Sequence, residues 1–249
     1  MMIYSEFAKI YDRWMNDIPY CKWCQRILDI LHTYQINDGI IADLGCGSGS
    51  VTRKLADAGF DMIGIDLSEE MLAQAYEKSE KYPDILYLLQ DIREFELYGT
   101  VRAIVCCCDT LNYLADRDEL TKVFRLVNNY LDPGGIFIFD IKTGKWFRET
   151  DGITSSLHED IGDFFCETCM DEDAFEYHIT MFEKESDGRY AKSEEYHYQK
   201  VFTLEDITSA LEAAGLILLE ITDGYSKRPY TDASDRLCFI AKESGKNDC

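Results

Sequence analysis

One continuous stretch decides the fold: Ile40-Ile41-Ala42-Asp43-Leu44-Gly45-Cys46-Gly47-Ser48-Gly49-Ser50. Its first five residues are rich in apolar and β-branched side chains, which is typical of a buried strand. Three glycines follow, and an amphipathic helical pattern begins at about Ser50 and is expected to stop at Gly59. A strand, a glycine-rich turn and a helix begin a nucleotide-binding βαβ unit, because glycine permits a tight turn and the helix start offers unpaired N–H groups.

The spacing of these glycines separates two kinds of nucleotide site. A dinucleotide fingerprint needs G-x-G-x-x-G, but Ser50 stands where the third glycine would be. The chain has G-x-G-x-G instead, with an acidic residue two places before the first glycine. The segment resembles motif I of the class I S-adenosylmethionine (SAM)-dependent methyltransferases, which is close to (D/E)-x-G-x-G-x-G. The resemblance implies that the cofactor lies against Asp43, Gly45, Cys46, Gly47 and Gly49.

Two further strand ends carry acidic residues that fit the same family. A strand pattern over 61–66 ends at Asp66, and a carboxylate at that position can accept hydrogen bonds from both ribose hydroxyls. This matches motif II of the family. A short strand over 85–89 is followed by Asp91, which the resemblance makes the acceptor for the adenine amino group. By the same comparison, the adenine is contacted by Leu67, Met71, Asp91 and Ile92.

The fourth predicted strand, 101–106, leads into a loop that should face the methyl group. In an open parallel sheet, ligands bind beyond the carboxyl ends of the strands. The resemblance places the methionine part of SAM at Cys107 and Cys108, and it makes Asp109, Asn112 and Tyr113 candidate substrate contacts. The family's D/N-P-P-Y signature is absent, which argues against nucleobase amines and glutamine amides as acceptors.

The N-terminal segment 3–35 reads as two helices, over 3–16 and from Tyr20 onward, each with an apolar stripe. In small-molecule methyltransferases, including those that act on glycine and amino sugars, helices before the first strand cover the cofactor. The resemblance therefore makes Tyr11 and Tyr20 candidate contacts of SAM or substrate. Core packing is the alternative for both stripes.

The second half of the chain changes character at about residue 143. Alternating apolar residues flank Asp187-Gly188, a strong hairpin signal, so 143–200 is predicted to be an antiparallel β insertion. A lid over the substrate and a dimerisation sheet both remain open. A capped helix from Thr203 and strands over 216–222 and 236–242 complete the predicted domain. Arg236, with Lys227 and Arg228, could recognise a substrate anion, although surface or structural roles are favoured.

We therefore predict an α/β, Rossmann-like fold with a seven-stranded, mostly parallel sheet, helices on both faces and an antiparallel β insertion. Residues 1–142 and 201–249 would form the SAM-binding domain, and 143–200 the insertion or lid. Asp132-Pro133-Gly134-Gly135 is predicted to be a turn, and 243–249 a disordered tail.

Composition limits the partners. The 249 residues carry a formal net charge of −22, which disfavours nucleic acid as a ligand. No apolar run is long enough to span a membrane, and no signal peptide is evident, so we expect a cytoplasmic monomer or homodimer without a membrane partner. Ten cysteines include the pairs Cys21/Cys24 and Cys166/Cys169, which leave a zinc site as an alternative to reduced, buried thiols. We expect no metal.

The motifs together predict an enzyme that transfers the methyl group of SAM to a nitrogen, oxygen or carboxylate of a small molecule. The sequence leaves two alternative functions open. One is a SAM-binding regulator without catalytic activity, because cofactor motifs report binding and not turnover. The other is an NAD(P)-dependent oxidoreductase, which would use a related sheet and glycine turn.

Overall fold

A seven-stranded sheet forms the centre of the molecule. The computed structural model describes residue 4 and residues 7–246. The chain begins with helices α1 (Ala8–Trp14) and α2 (Tyr20–Thr33). It then alternates strands and helices through β1 (Ile40–Leu44), α3 (Ser50–Asp57), β2 (Asp61–Asp66), α4 (Glu69–Lys78), β3 (Leu86–Leu89), β4 (Val101–Cys106), a 3₁₀ turn (Thr110–Tyr113), α5 (Arg117–Tyr130) and β5 (Leu131–Lys142).

A second, smaller sheet follows. Helix α6 (Gly144–Thr150) leads into β6 (Thr154–Glu159), β7 (Gly162–Asp171), β8 (Ala174–Lys184) and β9 (Tyr190–Lys200), a four-stranded antiparallel meander. The chain returns to the large sheet through α7 (Leu204–Ala213), β10 (Leu216–Asp223) and β11 (Arg236–Glu243). The hairpin predicted at Asp187-Gly188 joins β8 to β9, while β6, β7 and α6 add to what the sequence indicated.

The order of the large sheet is β10-β11-β5-β4-β1-β2-β3. Strands β1 to β5 run parallel to one another, and β11 is antiparallel to both β5 and β10. The mixed seven-stranded sheet, the helices and the antiparallel insertion confirm the predicted fold class.

Each face of the sheet packs on its own set of helices, because strand side chains alternate in direction. Ala42 and Leu44 of β1 face the core shared with α5 and α7, which contains Phe124 and Leu211. Ile41 faces the opposite core, which α2 and α3 cover with Ile27, Ile30, Leu31, Val51 and Leu55. A third core joins α1 to the small sheet through Phe7, Ile10, Phe164, Cys166, Ile179 and Met181.

Three predicted boundaries were wrong. The first helix runs over Ala8–Trp14 and not 3–16, and part of the predicted range lies outside the described residues. The segment 132–135 is not a separate turn but a bulge inside β5, because Leu131 pairs with Val101 and Ile136 already pairs with Ala103. The predicted tail is ordered as far as Lys246, whose ammonium donates to main-chain carbonyls at the end of α5; residues 247–249 lie outside the described residues.

Within residue 4 and residues 7–246, no helix is long and apolar enough to cross a membrane.

Candidate active site

The glycine turn between β1 and α3 forms the floor of the site. Gly45 has φ +68°, and a Cβ there would lie 2.4 Å from Cγ2 of Thr110, so only glycine fits. Gly49 has φ +76° and caps the start of α3. The turn therefore brings backbone N–H groups to the carboxyl edge of the sheet, as an anionic or polar ligand group requires.

Asp43 lies beneath this turn and is almost completely buried. Its Oδ2 accepts the hydroxyl of Thr52 in α3 at 2.6 Å, which ties the strand end to the helix. Burial raises the pKa of the Asp43 carboxyl to about 7, against the lowering effect of the Thr52 hydrogen bond. The placement of Asp43 therefore favours a structural role, in which its side chain supports the glycine turn.

Asp66 ends β2 directly beside the turn. Its Oδ2 accepts the N–H of Gly47 at 2.8 Å, and its Oδ1 accepts the N–H of Ser68 at 2.9 Å. Burial raises the pKa of this carboxyl, and the backbone hydrogen bonds from Ser68 and Gly47 oppose that rise. The carboxylate is thus oriented by two backbone donors at the wall of the cavity, where the family places the ribose.

Asp91 follows β3 and is held by Arg93. The guanidinium donates to both carboxylate oxygens of Asp91, with its Nη2 2.5 Å from Oδ2, and it also contacts Glu119 at 3.0 Å. Burial raises the pKa of the Asp91 carboxyl, but the hydrogen bonds and charge of Arg93 outweigh it and leave the pKa lowered. Asp91 is therefore ionised at neutral pH, and both of its oxygens act only as hydrogen-bond acceptors.

These residues surround a cavity of about 290 Å³, with a smaller recess of about 30 Å³ beside it. Tyr11, Gly45, Gly47 and Cys108 line both. The larger cavity is also lined by the predicted residues Asp66, Leu67, Met71, Asp91, Ile92 and Tyr113. The recess adds the predicted residues Tyr20, Asp43, Cys46 and Cys107. Among the predicted cofactor contacts, Gly49 lines neither space and serves the turn at the start of α3.

Three of the four candidate substrate contacts lie behind this wall. Arg236 pairs with Asp109 at 2.7 Å and also with Asp140. Asn112 is fully buried, where its amide donates to the carbonyl of Lys200 and accepts the N–H of Lys142. None of the three lines the cavity, so their placement favours positioning of the loop over contact with substrate.

Asp109 also joins the two sheets. Its Oδ2 accepts from Nε2 of Gln199 at 2.8 Å and lies 2.9 Å from Nζ of Lys142. The hydroxyl of Tyr177 bridges Lys142 and Gln199, because it accepts a hydrogen bond from Lys142 and donates one to Gln199. Burial raises the pKa of the Asp109 carboxyl, but Lys142 and Arg236 bring it below the usual range. The loop after β4 is thus fixed to the small sheet by a charged, hydrogen-bonded network.

The other two cations proposed for an anionic substrate are also paired at the surface: Lys227 lies 2.8 Å from Asp29, and Arg228 lies 2.7 Å from Asp223. Both stand outside the cavity wall.

The alternative zinc site is not assembled. Cys24 packs in the core beneath α2, whereas Cys166 belongs to the core between α1 and the small sheet. Over the described part of the chain, no group of three or more potential ligands converges on a point, and the nine cysteines there are free thiols. His178 and His197 lie on paired strands but point to opposite faces, because β8 and β9 pair Tyr177 with His197 and His178 with Tyr196.

Several residues of the cavity wall were not predicted from the sequence. Tyr4, Ser68, Arg93, Thr110, Leu114 and Tyr198 also line the larger cavity. Arg93 could have been found, because it follows Asp91 closely and an arginine there can clamp a carboxylate. Tyr198 could not, because it reaches the site only through the docking of the small sheet.

The sheet is ordered β3-β2-β1-β4-β5-β11-β10 and carries a glycine turn at its carboxyl edge. One carboxylate stands at the end of β2 and another follows β3, and both line the cavity. This arrangement defines a class I methyltransferase site. The family model described as "Methyltransferase domain" matches residues 41–135. YqeM of Bacillus subtilis (strain 168), a protein named as a methyltransferase, is 34% identical over 98% of this chain and 98% of its own. The chain therefore belongs to the SAM-dependent methyltransferases, which confirms the predicted family, enzyme class and methyl donor and sets aside the regulator and the oxidoreductase.

Solved structures agree. A SAM-dependent methyltransferase from Clostridium acetobutylicum ATCC 824 is 29% identical, with a TM-score of 0.86 over 98% of this chain and all of that one. A relative from Streptomyces fradiae, named as a dTDP-3-amino-3,6-dideoxy-alpha-D-glucopyranose N,N-dimethyltransferase, is 26% identical over 76% of this chain and 74% of its own.

Proposed function

We propose that this enzyme methylates an amine of a small molecule, held in the larger cavity beside SAM. The observation that carries this proposal is the chemistry of the wall beyond the cofactor motifs. Four tyrosines, Tyr4, Tyr11, Tyr113 and Tyr198, line it. Aromatic faces and hydroxyl oxygens suit a cationic amine. The Streptomyces fradiae relative, whose name assigns it an amino sugar, supports the same class of acceptor.

The charge of the wall disfavours an anionic acceptor. Arg93, the one arginine among the described wall residues, is paired with Asp91 and Glu119. An anionic acceptor would find no free cation among the wall residues of the described chain. An amine is therefore favoured over a carboxylate or a phosphorylated hydroxyl as the group that approaches the methyl donor.

We assign the cofactor contacts as follows. Asp66 would accept the ribose hydroxyls, and Asp91 the adenine amino group, with Leu67 and Met71 against the ring. The glycine turn and Cys108 would hold the methionine part. When bound, SAM supplies a methyl group that its positive sulfur already activates. The residues of this chain then have to align the amine, exclude water and remove one proton.

We propose that the small sheet acts as the lid of this site and not as a dimer surface. Tyr198 of β9 lines the cavity, and Gln199 beside it holds Asp109 in the loop after β4. A segment that both walls the site and fixes its loop is placed to exclude water from it. We also propose a monomer or homodimer that acts in the cytoplasm, where free thiols such as the nine described cysteines stay reduced.

The test is methyl transfer from labelled SAM to a panel of small molecules. The panel contains glycine, sarcosine and nucleotide-linked amino sugars, with matched hydroxyl and carboxyl compounds that lack the amine. We expect label in one or more amines and not in their matched compounds. Transfer only to hydroxyl or carboxyl compounds would overturn the choice of acceptor, although the enzyme would still be a methyltransferase.

A further inference from the structure

A buried histidine lies directly behind the tyrosine wall. His197 on β9 is 2% exposed and does not reach the cavity itself. Its Nδ1 lies 3.2 Å from the hydroxyl of Tyr113, and its Nε2 lies 3.2 Å from Oε2 of Glu195. Neither the methyltransferase motifs nor the sequence patterns assign this histidine a role.

The surroundings of Glu195 fix the tautomer of His197. The carboxylate accepts the backbone N–H of Phe7 at 2.9 Å and that of Tyr4 at 3.0 Å, so it faces donors on the N-terminal segment. An ionised carboxylate can only accept hydrogen bonds. The Nε2 of His197, which contacts Glu195, must therefore carry a proton and donate it. In the neutral ring, Nδ1 is then left as an acceptor, and the hydroxyl of Tyr113 donates to it.

The hydrogen-bond direction continues to the cavity. Because Tyr113 donates its proton to His197, its oxygen is free to accept from the hydroxyl of Tyr4, 2.7 Å away. Both tyrosines line the cavity. The oxygen of Tyr4 can in turn accept a proton from a donor inside the cavity. Every group in this row has one donor and one acceptor aligned in the same direction, which is what a proton relay requires.

We propose that Tyr4, Tyr113 and His197 form a proton relay that deprotonates the acceptor amine, with Glu195 holding the histidine in place. The proposal rests on the proposed function, and it supplies the proton acceptor that amine methylation needs. Amines of ordinary basicity arrive largely protonated at neutral pH, and an ammonium has no lone pair with which to attack.

The proton transfer balances without any other reactant. The N–H bond of the ammonium breaks and its proton goes to the oxygen of Tyr4, whose own proton passes to Tyr113, and that of Tyr113 passes to Nδ1 of His197. Both tyrosines are unchanged overall, and His197 becomes a cation beside the carboxylate of Glu195. The freed lone pair forms the bond to the methyl carbon, and the electron pair of the broken carbon–sulfur bond stays on sulfur.

The structure explains why a relay is needed in place of direct contact. His197 is enclosed by the rings of Tyr4, Phe7 and Tyr113, with centroid distances of 4.6, 5.8 and 6.1 Å. The titratable groups that face it are Glu195 on its own strand, Tyr177 on β8, Tyr113 on the 3₁₀ turn and Tyr4 on the N-terminal segment. An imidazolium formed there has one carboxylate partner and little access to water, so the tyrosines are its connection to the substrate.

The first experiment tests the tautomer without turnover. The chain has four histidines, so ¹⁵N-histidine labelling gives a spectrum simple enough to assign by one substitution, His197→Gln. We expect the assigned ring to carry its proton on Nε2 in the intact enzyme, and its Nδ1 resonance to shift in Tyr113→Phe, which lacks the donor. A neutral ring protonated on Nδ1 would overturn the relay, because Nδ1 could then accept nothing.

The second experiment separates proton acceptance from positioning. In His197→Gln, the amide can still donate to Glu195 and accept from Tyr113, but it cannot take up a proton. With the best amine of the panel, we expect kcat at neutral pH to fall about 10²-fold or more, the range of general base catalysis. The affinity for S-adenosylhomocysteine should stay within about twofold of the parent. The pH profile of kcat should also differ from that of the parent, because glutamine cannot serve as the proton acceptor.

The matched control is His178→Gln. His178 lies on β8, on the opposite face of the small sheet, where it contacts Glu194 at 3.0 Å. We expect its kcat and pH profile to equal those of the parent. If His197→Gln also keeps the parental kcat and pH profile, the relay is wrong while amine methylation stands. If the parent enzyme methylates no amine in the panel, the proposed function fails and the relay fails with it.

Discussion

The Oδ1 of Asp140 accepts the backbone N–H of Cys108 at 2.9 Å, across the ends of neighbouring strands β5 and β4. Its Oδ2 accepts the next N–H, that of Asp109, at 3.1 Å. Cys108 and Asp109 have φ values of +60° and +54°, in the left-handed region that non-glycine residues avoid. A fully buried carboxylate thus holds a strained pair of residues at the point where the loop meets the cavity.

We expect Asp140→Asn to destabilise the protein and to weaken SAM binding. The amide keeps one acceptor but loses the charge that pairs with Arg236 and accepts from Tyr225 at 2.6 Å. Loss of a hydrogen bond to a charged group costs about 1.5–3 kcal/mol of unfolding free energy. Urea unfolding and calorimetry with S-adenosylhomocysteine measure the two effects.

Asp132→Asn is the matched control on the same strand. Asp132 lies in the partly exposed bulge of β5, where it accepts a hydrogen bond from Thr100. This bulge is far along the strand from the cavity. Its substitution should leave S-adenosylhomocysteine affinity unchanged. Equal affinities for the Asp140 and Asp132 variants would show that the strained loop does not depend on the buried carboxylate.

A second prediction concerns Asp66, the proposed ribose contact. Asp66→Ala should weaken S-adenosylhomocysteine binding by about 1.5–3 kcal/mol, the range for hydrogen bonds to a charged group. Asp61→Ala, at the exposed start of the same strand, should bind as the parent does. If a folded Asp66→Ala variant keeps the parental affinity in calorimetry, the ribose hydroxyls are held by another residue.

The cofactor half of the site could be predicted because its signals are local. A glycine at a fixed spacing and a carboxylate at a strand end are read from consecutive residues, and the family motif links them. The Asp109–Arg236 pair could not be predicted as a structural contact, because it joins residues 127 positions apart in the sequence. The sequence could therefore name Arg236 only as a candidate anion contact beside the favoured surface or structural role, and its two carboxylate partners, Asp109 and Asp140, are known only from the structure.

The same limit applies to His197. Alternation predicted the strands on either side of the hairpin, but it does not give the register between them. The register places His197 beside Tyr177 on one face and His178 beside Tyr196 on the other. Only the docking of that first face against α1 and the 3₁₀ turn brings His197 to Tyr113, and this docking leaves no local signal in the sequence.

A third prediction concerns the pH dependence of cofactor binding. Arg93 lowers the pKa of Asp91, so the carboxylate stays ionised as the pH falls. In Arg93→Met, the pKa of Asp91 should rise, and the loss of S-adenosylhomocysteine affinity on acidification should begin at a higher pH. Calorimetry across pH 4 to 8, with each variant checked for folding, measures the shift.

Glu119→Gln provides the control for this shift. It removes the other partner of Arg93 but leaves the contact between Arg93 and Asp91 in place. Its binding profile should follow that of the parent. Identical profiles for Arg93→Met and the parent would mean that ionised Asp91 does not contribute to binding.

The last prediction concerns Asp43 and the stability of the fold. Burial raises the pKa of its carboxyl from 3.8 to about 7, so between these pH values the folded state keeps a proton that the unfolded state has lost. Stability from this group is therefore complete below about pH 4 and is lost as the pH rises toward 7. In Asp43→Asn, which does not titrate, the free energy of unfolding should fall less steeply between pH 4 and 7. Some decline should remain, because the pKa of Asp66 is also raised. Urea titrations at one-unit pH intervals measure how steeply the free energy of unfolding falls with pH. The control, Asp61→Asn, should keep the slope of the parent. If Asp43→Asn keeps that slope too, the buried carboxyl titrates alike in the folded and unfolded states.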